Sequence, residues 1–87
     1  MANWKHRLDV SNFFHSEELS LEEKTKKIIA TIKTRPWFAK LYYVDDLSEA
    51  LEELSDAGEA DDVEWFDATW NAIYDIFDAE RVWVITR

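Results

Sequence analysis

The sequence lacks several residue types on which small-protein frameworks and active sites depend. It contains no cysteine, one glycine and one proline. Without cysteine there is no disulfide framework, no thiolate metal site and no cysteine nucleophile. A single glycine excludes a glycine-rich phosphate-binding loop. With so little glycine and proline, no segment has the composition of a flexible linker. We therefore expect residues 1–87 to form a single domain with a small core.

Long apolar runs are also missing. No segment approaches the roughly 20 apolar residues needed to cross a bilayer. The opening stretch "MANWKHRLDV" lacks the apolar core of a secretory signal. The absence of cysteine suits a reducing compartment. These features together predict a soluble cytoplasmic protein that does not bind membranes.

Signals of catalysis are scarce. His6 and His15 are the only two histidines, and neither belongs to an H-E-x-x-H pattern or stands beside a nucleophile. No serine lies in a G-x-S-x-G context. His6 falls on the apolar face of a predicted strand, where a structural histidine is expected. We therefore predict no enzymatic activity and no cofactor.

Aromatic residues, by contrast, are abundant. Phe, Trp and Tyr make up 15% of the chain, and all hydrophobic residues together make up 47%. A disordered acidic tail would instead combine high charge with few aromatics. Large rings supply much buried area per residue, which favours a folded domain even at this length.

Both ends of the chain are predicted to form strands. In "WKHRLDV" the residues Trp4, His6, Leu8 and Val10 alternate with charged residues, as in a strand with one buried face. The closing "RVWVITR" is rich in β-branched and aromatic residues. Neither strand has a nearby hairpin partner, so we expect them to pair with each other and to bring the ends of the chain together.

Three helices are predicted between the strands. The first is capped by Ser20, with Glu23 completing a capping box, and ends before Pro36. The second runs over 45–58, where Gly58 is expected to stop it, and the third over 62–79.

The expected fold class is α+β, with three helices packed on a small two-stranded sheet formed by the N- and C-terminal strands, in the order β-α-α-α-β. The segment 37–44, "WFAKLYYV", is compatible with a strand, a helical turn or an aromatic loop. Its periodicity favours none of the three.

Charge is distributed very unevenly along the chain. Residues 41–80 contain fourteen acidic side chains and no basic one, whereas residues 1–40 contain eight Lys or Arg and five acids. On the second and third predicted helices the acids recur every three or four positions, so they share a face. Neighbouring carboxylates at this spacing, on the order of 6 Å, repel one another. Helix stability therefore does not explain them.

Two interpretations of the acids remain open. In the first they form a solvated face, partly neutralised by basic residues of the N-terminal half: Lys24, Lys26, Lys27, Lys33 and Arg35. In the second they present a negative potential to a basic protein, including nucleic-acid-binding proteins. Direct binding of nucleic acid is disfavoured by the net charge of −9.

The second interpretation predicts a non-enzymatic interaction protein that acts as an inhibitor or a nucleic-acid mimic. Trp65 and Tyr74 fall outside the apolar stripe of the third helix and are candidate anchors. The predicted partner-binding residues are Asp45, Glu49, Glu52, Glu53, Asp56, Glu64, Trp65, Asp67, Tyr74, Asp75 and Asp78. In size and composition the chain resembles the small acidic accessory proteins common in phage genomes, a resemblance that assigns no role to any residue.

Two further functions are compatible with the sequence. The chain could be a structural or assembly protein that self-associates through the edge of a terminal strand, with the acids serving solubility only. The oligomeric state is left open by the sequence. The stretch "DAGEADD" offers carboxylates to a hard cation, but its spacing does not match an EF-hand loop, and we predict no dedicated metal site.

Overall fold

The structure is a computed structural model that describes residues 3–41 and 45–87. Its elements in chain order are β1 (His6–Asp9), α1 (Ser11–Phe14), α2 (Leu21–Lys33), α3 (Phe38–Leu41), α4 (Asp45–Glu59), α5 (Val63–Ala79) and β2 (Val82–Ile85). The predicted α+β class is confirmed, because the three long helices α2, α4 and α5 lie between two terminal strands that pair. The short helices α1 and α3 are additions to the predicted order.

The two strands pair in parallel, with His6 opposite Val82 and Leu8 opposite Val84. Parallel strands cannot be joined by a tight turn and need a long crossover connection. Here the crossover contains every helix of the chain's described part. Since the strands run in the same direction, the start of β1 at His6 and the end of β2 at Ile85 lie at opposite ends of the sheet. The expectation that the pairing would bring the ends of the chain together was therefore wrong.

The inner face of the sheet follows the predicted alternation of side chains. Leu8 and Val10 are buried from β1 and the residue after it, and Val82 and Val84 are buried from β2. His6 is half-buried, and its ring stacks on Trp37 at 5.2 Å between centroids. A structural role for His6 therefore agrees with its contacts.

Trp4 departs from this pattern, because it is 42% exposed. The strand begins only at His6. The first member of the alternating series thus lies before the strand and stays largely exposed.

The core lies between the inner face of the sheet and the three long helices. Its fully buried large side chains include Ile28 and Ile32 of α2, Leu47 and Leu54 of α4, and Ile73 and Phe77 of α5. The rings of Phe77 and Trp37 are nearly perpendicular, at 5.9 Å between centroids. Within the ambiguous segment 37–44, the residues Phe38–Leu41 form a helical turn, whereas 42–44 lie outside the described residues.

The N-terminal ends of α2 and α5 are capped by side chains. Ser20 Oγ accepts a hydrogen bond from the Glu23 N–H at 3.2 Å, as the capping box predicts. At α5, Asp62 Oδ1 accepts a hydrogen bond from the Trp65 N–H at 3.0 Å. Each cap satisfies a backbone donor that the first turn leaves without a partner.

The C-terminal end of α4 differs from the expected one. The helix continues through Gly58 to Glu59, and the left-handed residue that ends it is Asp61, with φ of 54°. The Asp62 N–H donates to Ala57 O and the Asp61 N–H donates to Gly58 O, both at 3.1 Å. This is the hydrogen-bond pattern of a Schellman motif. The only glycine of the chain is therefore inside the helix and serves another purpose.

Gly58 allows α4 to approach α2 closely. A Cβ atom at this position would lie 2.5 Å from Oγ1 and 2.8 Å from Cβ of Thr25. Thr25 is buried, and its hydroxyl donates to Leu21 O at 2.8 Å, which holds the side chain in place. The absence of a side chain at Gly58 thus sets the distance between the two helices.

We expect Gly58→Ala to lower the free energy of unfolding by up to about 2 kcal/mol. The overlap with Thr25 costs about 1 to 3 kcal/mol, and the roughly 1 kcal/mol gained from the higher helix propensity of alanine offsets part of that cost. Urea unfolding of the native and variant chains measures the change. In a Thr25→Ala background the cost should be smaller, because two of the three contacting atoms are gone. A variant more stable than the native chain would contradict this role.

The junction between β1 and α1 is held by a local hydrogen-bonded turn. The N–H and the hydroxyl of Ser11 both donate to Asp9 Oδ1, at 3.0 and 2.6 Å. These two hydrogen bonds, with a smaller contribution from the Arg7 charge, hold the pKa of Asp9 below its ordinary value.

We expect Ser11→Ala to raise the pKa of Asp9 towards its ordinary value. The substitution removes the hydroxyl donor and weakens the turn that holds the N–H of residue 11 against the Asp9 carboxylate. A carboxyl whose pKa is lower in the folded chain stabilises the fold above its ordinary pKa, and this contribution is lost as the pH falls through the folded pKa. The difference in the free energy of unfolding between the native and variant chains should therefore be largest at neutral pH and should decrease as the pH is lowered. Titration followed by NMR at the Asp9 carboxyl, with unfolding measured at each pH, checks both statements, and an unchanged pKa would contradict them.

Candidate protein-binding surface

The acids of α4 form an exposed surface on the side opposite the core. Leu47, Leu51 and Leu54 are buried on the inner side of the helix. The outer side carries what we call the α4 acidic face, which consists of the exposed residues Glu49, Glu52, Glu53 and Asp56. Asp45 is the first residue of α4, and its side chain lies outside the described part.

The acids of α5 form a second exposed surface. The α5 acidic row, as we call it, consists of the exposed residues Glu64, Asp67, Asp75 and Asp78. At 3.6 residues per turn these side chains, with Asn71 among them, fall within about 80° of the helix circumference. The inward side is filled by Phe66, Trp70, Ile73 and Phe77. The row is therefore a narrow stripe along one flank of the helix.

Neither acidic surface forms ion pairs with the described basic side chains. Two ion pairs are found in residues 3–41 and 45–87, namely Arg7 with Asp9 at 3.8 Å and Lys26 with Glu22 at 3.1 Å. Both belong to the N-terminal half and have exposed partners. Direct pairing between the N-terminal basic residues and the acids of α4 or α5 is thus not found there. The acids of both surfaces face solvent.

Trp65 and Tyr74 lie on opposite sides of α5. They are 36% and 42% exposed, and nine positions correspond to about two and a half helical turns. Tyr74 is seven positions from Asp67 and four from Asp78, so it lies on the flank of the acidic row. Trp65 lies away from it. Tyr74 thus lies beside the acidic row and Trp65 away from it, while a partner contact by either residue stays a prediction.

A groove borders the α5 acidic row where the helix passes β2. Its volume is 510 Å³, and it is lined by Phe14 of α1, by Trp70, Asn71 and Tyr74 of α5, and by residues 83–87, the last of which is the basic Arg87. Phe14 packs on Trp70 at 4.9 Å between ring centroids, which closes one side of the groove. Sequence reasoning did not predict this groove, because its walls come from three separate segments of the chain.

Trp83 is an exposed aromatic residue that the sequence analysis did not select. It is 48% exposed on the outer face of the sheet, and the guanidinium carbon of Arg7 lies 5.8 Å from its ring centre. The alternation in "RVWVITR" contains the signal for this position, since Trp83 stands between the buried residues Val82 and Val84.

The acidic stretch "DAGEADD" covers the last turn of α4 and its junction with α5. Asp62 is engaged as the N-cap of α5. Across the part of the chain that the structure describes, no three His or acidic side chains are grouped so that they could hold a metal ion.

Comparison with protein-family models, curated proteins and solved structures finds no significant match to this chain. Among the described helices, none combines the length and apolarity needed to cross a membrane.

We expect Glu53→Lys to raise the free energy of unfolding by about 0.5 kcal/mol at low salt. The change removes the repulsion between Glu49 and Glu53 and replaces it with an attractive i,i+4 pair. Urea unfolding at low salt and at about 1 M salt measures the gain, which should vanish at high salt because exposed charges are screened.

The matched control is Glu22→Lys, which breaks the ion pair with Lys26 and places two like charges four residues apart. It should destabilise the chain by a similar small amount. Loss of stability on Glu53→Lys would mean that Glu53 has a favourable partner in the native fold.

Proposed function

We propose that this chain is a small acidic, non-enzymatic interaction protein that binds a basic surface of a protein partner through the α4 acidic face and the α5 acidic row. In this role it acts as an inhibitor or a nucleic-acid mimic of the phage accessory type. The observation that supports the proposal is the exposure of eight acids on two helices, none of which forms an ion pair with a described basic side chain.

The density of charge on the two helices is comparable with that of a nucleic-acid strand. The α5 acidic row extends over about 21 Å with four acids, a length over which one DNA strand carries about six phosphates. The α4 acidic face places four acids within about 10 Å, where one strand carries about three phosphates. A groove built for phosphates would therefore meet similar charge here.

Repulsion within each surface adds to the driving force for binding. Neighbouring acids at i,i+3 and i,i+4 positions destabilise the free helices by a few tenths of a kcal/mol per pair. A basic partner reduces this repulsion and is itself attracted to the acids. Binding of positively charged groups is therefore favourable at these surfaces. The long-range potential of a chain with net charge −9 also speeds association with a basic surface.

The test is capture of partners from a cell lysate by the native chain and by a variant with Glu49→Gln, Glu53→Gln, Asp67→Asn and Asp75→Asn. A control variant neutralises the same number of acids elsewhere, with Glu17, Glu18, Glu22 and Glu23 changed to Gln. Both variants are first checked for native circular dichroism. We expect the native chain and the control to hold a basic protein that the first variant releases.

The captured protein is then purified and titrated with the native chain at about 50 and about 300 mM salt, where screening separates charge from apolar contact. Affinity should fall steeply between the two, and duplex DNA should displace the chain if mimicry is the mechanism. Equal capture by all three chains would show that the acids serve as a solvated face only.

A second candidate function is assembly through the edge of the terminal sheet. The observation in its favour is that the sheet of the described chain has only two strands and carries the exposed Trp83 on its outer face. Self-association of this kind would appear in sedimentation as a dimer or polymer that persists when the acids are neutralised.

A further inference from the structure

The outer edge of β2 presents backbone groups that no described strand engages. Arg81 O accepts a hydrogen bond from the Lys5 N–H, and Ile85 O accepts one from the Val10 N–H. Backbone groups of successive residues in a strand point to alternate sides. Residues 81, 83 and 85 thus face β1, while the N–H and C=O groups of Val82, Val84 and Thr86 face the opposite edge.

This edge runs beside the groove described above. Val84 and Thr86 of the edge and Tyr74 and Trp70 of α5 line the same 510 Å³ space. A strand added to β2 would therefore find two things together. Its backbone would pair with the free edge, and its inward side chains would enter an aromatic groove. Pairing plus pockets for alternate side chains is the basis of recognition by strand addition.

The charge around the groove favours a basic occupant. One basic side chain, Arg87, belongs to the lining, whereas the exposed acids of the α5 acidic row lie on the flank that carries Asn71 and Tyr74. A Lys or Arg side chain can lay its apolar stem on an aromatic wall and extend its charge to acids beyond it. A second copy of this chain is disfavoured, because antiparallel pairing of two β2 edges would bring two acidic rows towards each other.

We propose that the β2 edge binds an extended basic segment of a partner protein as a third strand of the sheet. The segment alternates Lys or Arg with β-branched residues, pairs with the backbone of Val82, Val84 and Thr86, and places its basic side chains against Tyr74 and the α5 acidic row. This inference rests on the proposed function, since it names the kind of segment that the acidic surface receives. It also extends a two-stranded sheet, which is marginal alone, to three strands.

The probe is a blocked peptide of about eight residues that alternates Lys and Val, a length typical of a strand. A peptide of equal charge made only of Lys and Gly supplies charge without strand propensity. We expect the Lys-Val peptide to bind about tenfold more tightly by calorimetry. In hydrogen exchange followed by NMR, its binding should protect the amides of Val82, Val84 and Thr86.

Two variants separate the edge from the groove. Thr86→Pro removes an outward N–H and leaves the Val10 N–H to Ile85 O bond intact, and an extended Ile85 is compatible with a following proline. Its control, Thr86→Val, keeps the N–H. Tyr74→Ala removes a groove wall, and its control, Trp4→Ala, removes an aromatic side chain of the same 42% exposure that does not line the groove.

The expected result is a loss of about tenfold in peptide affinity for Thr86→Pro and for Tyr74→Ala, with little change in either control. If Thr86→Pro binds the peptide as the native chain does, or if the two peptides bind equally, strand addition is overturned. In that case the lysate test of the acidic surfaces still stands. Protection of the same amides that rises with protein concentration and without peptide would identify a second copy as the occupant and overturn the proposal.

Discussion

The parallel pairing of β1 with β2 is the constraint on which the rest of the structure depends. A two-stranded sheet is marginal in water and needs a covered face. Parallel pairing also requires a long crossover, so the strands meet only when the chain between them has folded. The buried residues Leu8 and Val84 then lie opposite each other beneath the helices. First and last segments therefore depend on the same core, and we expect sheet and helices to form together.

The core contains no disulfide, and it is stabilised by the close approach of helices and by large aromatic rings. Gly58 lets α4 pack against Thr25 of α2, while Trp37 links His6 of the sheet to Phe77 of α5. A ring that contacts elements far apart in sequence contributes more to a small domain than several local contacts, because it ties segments whose ordering costs entropy.

The positions of the acidic surfaces follow from the packing of the helices. Once Leu47, Leu51 and Leu54 are directed inward, every acid of the α4 acidic face must point to solvent. On α5 the same geometry confines the acids to one flank, next to the groove and the open edge of β2. Charge, aromatic wall and unpaired backbone thereby meet on one side of the molecule, although each arises from a different local pattern.

The sequence by itself determined the two terminal strands, the three long helices and the exposure of the acids. The signals for these elements are local: the alternation with period two at the termini, the Ser20 cap, and the spacing of three and four residues between apolar side chains. Each signal depends only on residues that are close together in the sequence. Only the tertiary structure decided that the strands are parallel, that Gly58 is a contact and not a helix stop, and that Tyr74 but not Trp65 borders the α5 acidic row beside a groove. These features depend on which distant segments come within contact distance. Which distant segments come into contact depends on the packing of the whole core, and no periodic pattern within a single segment indicates it.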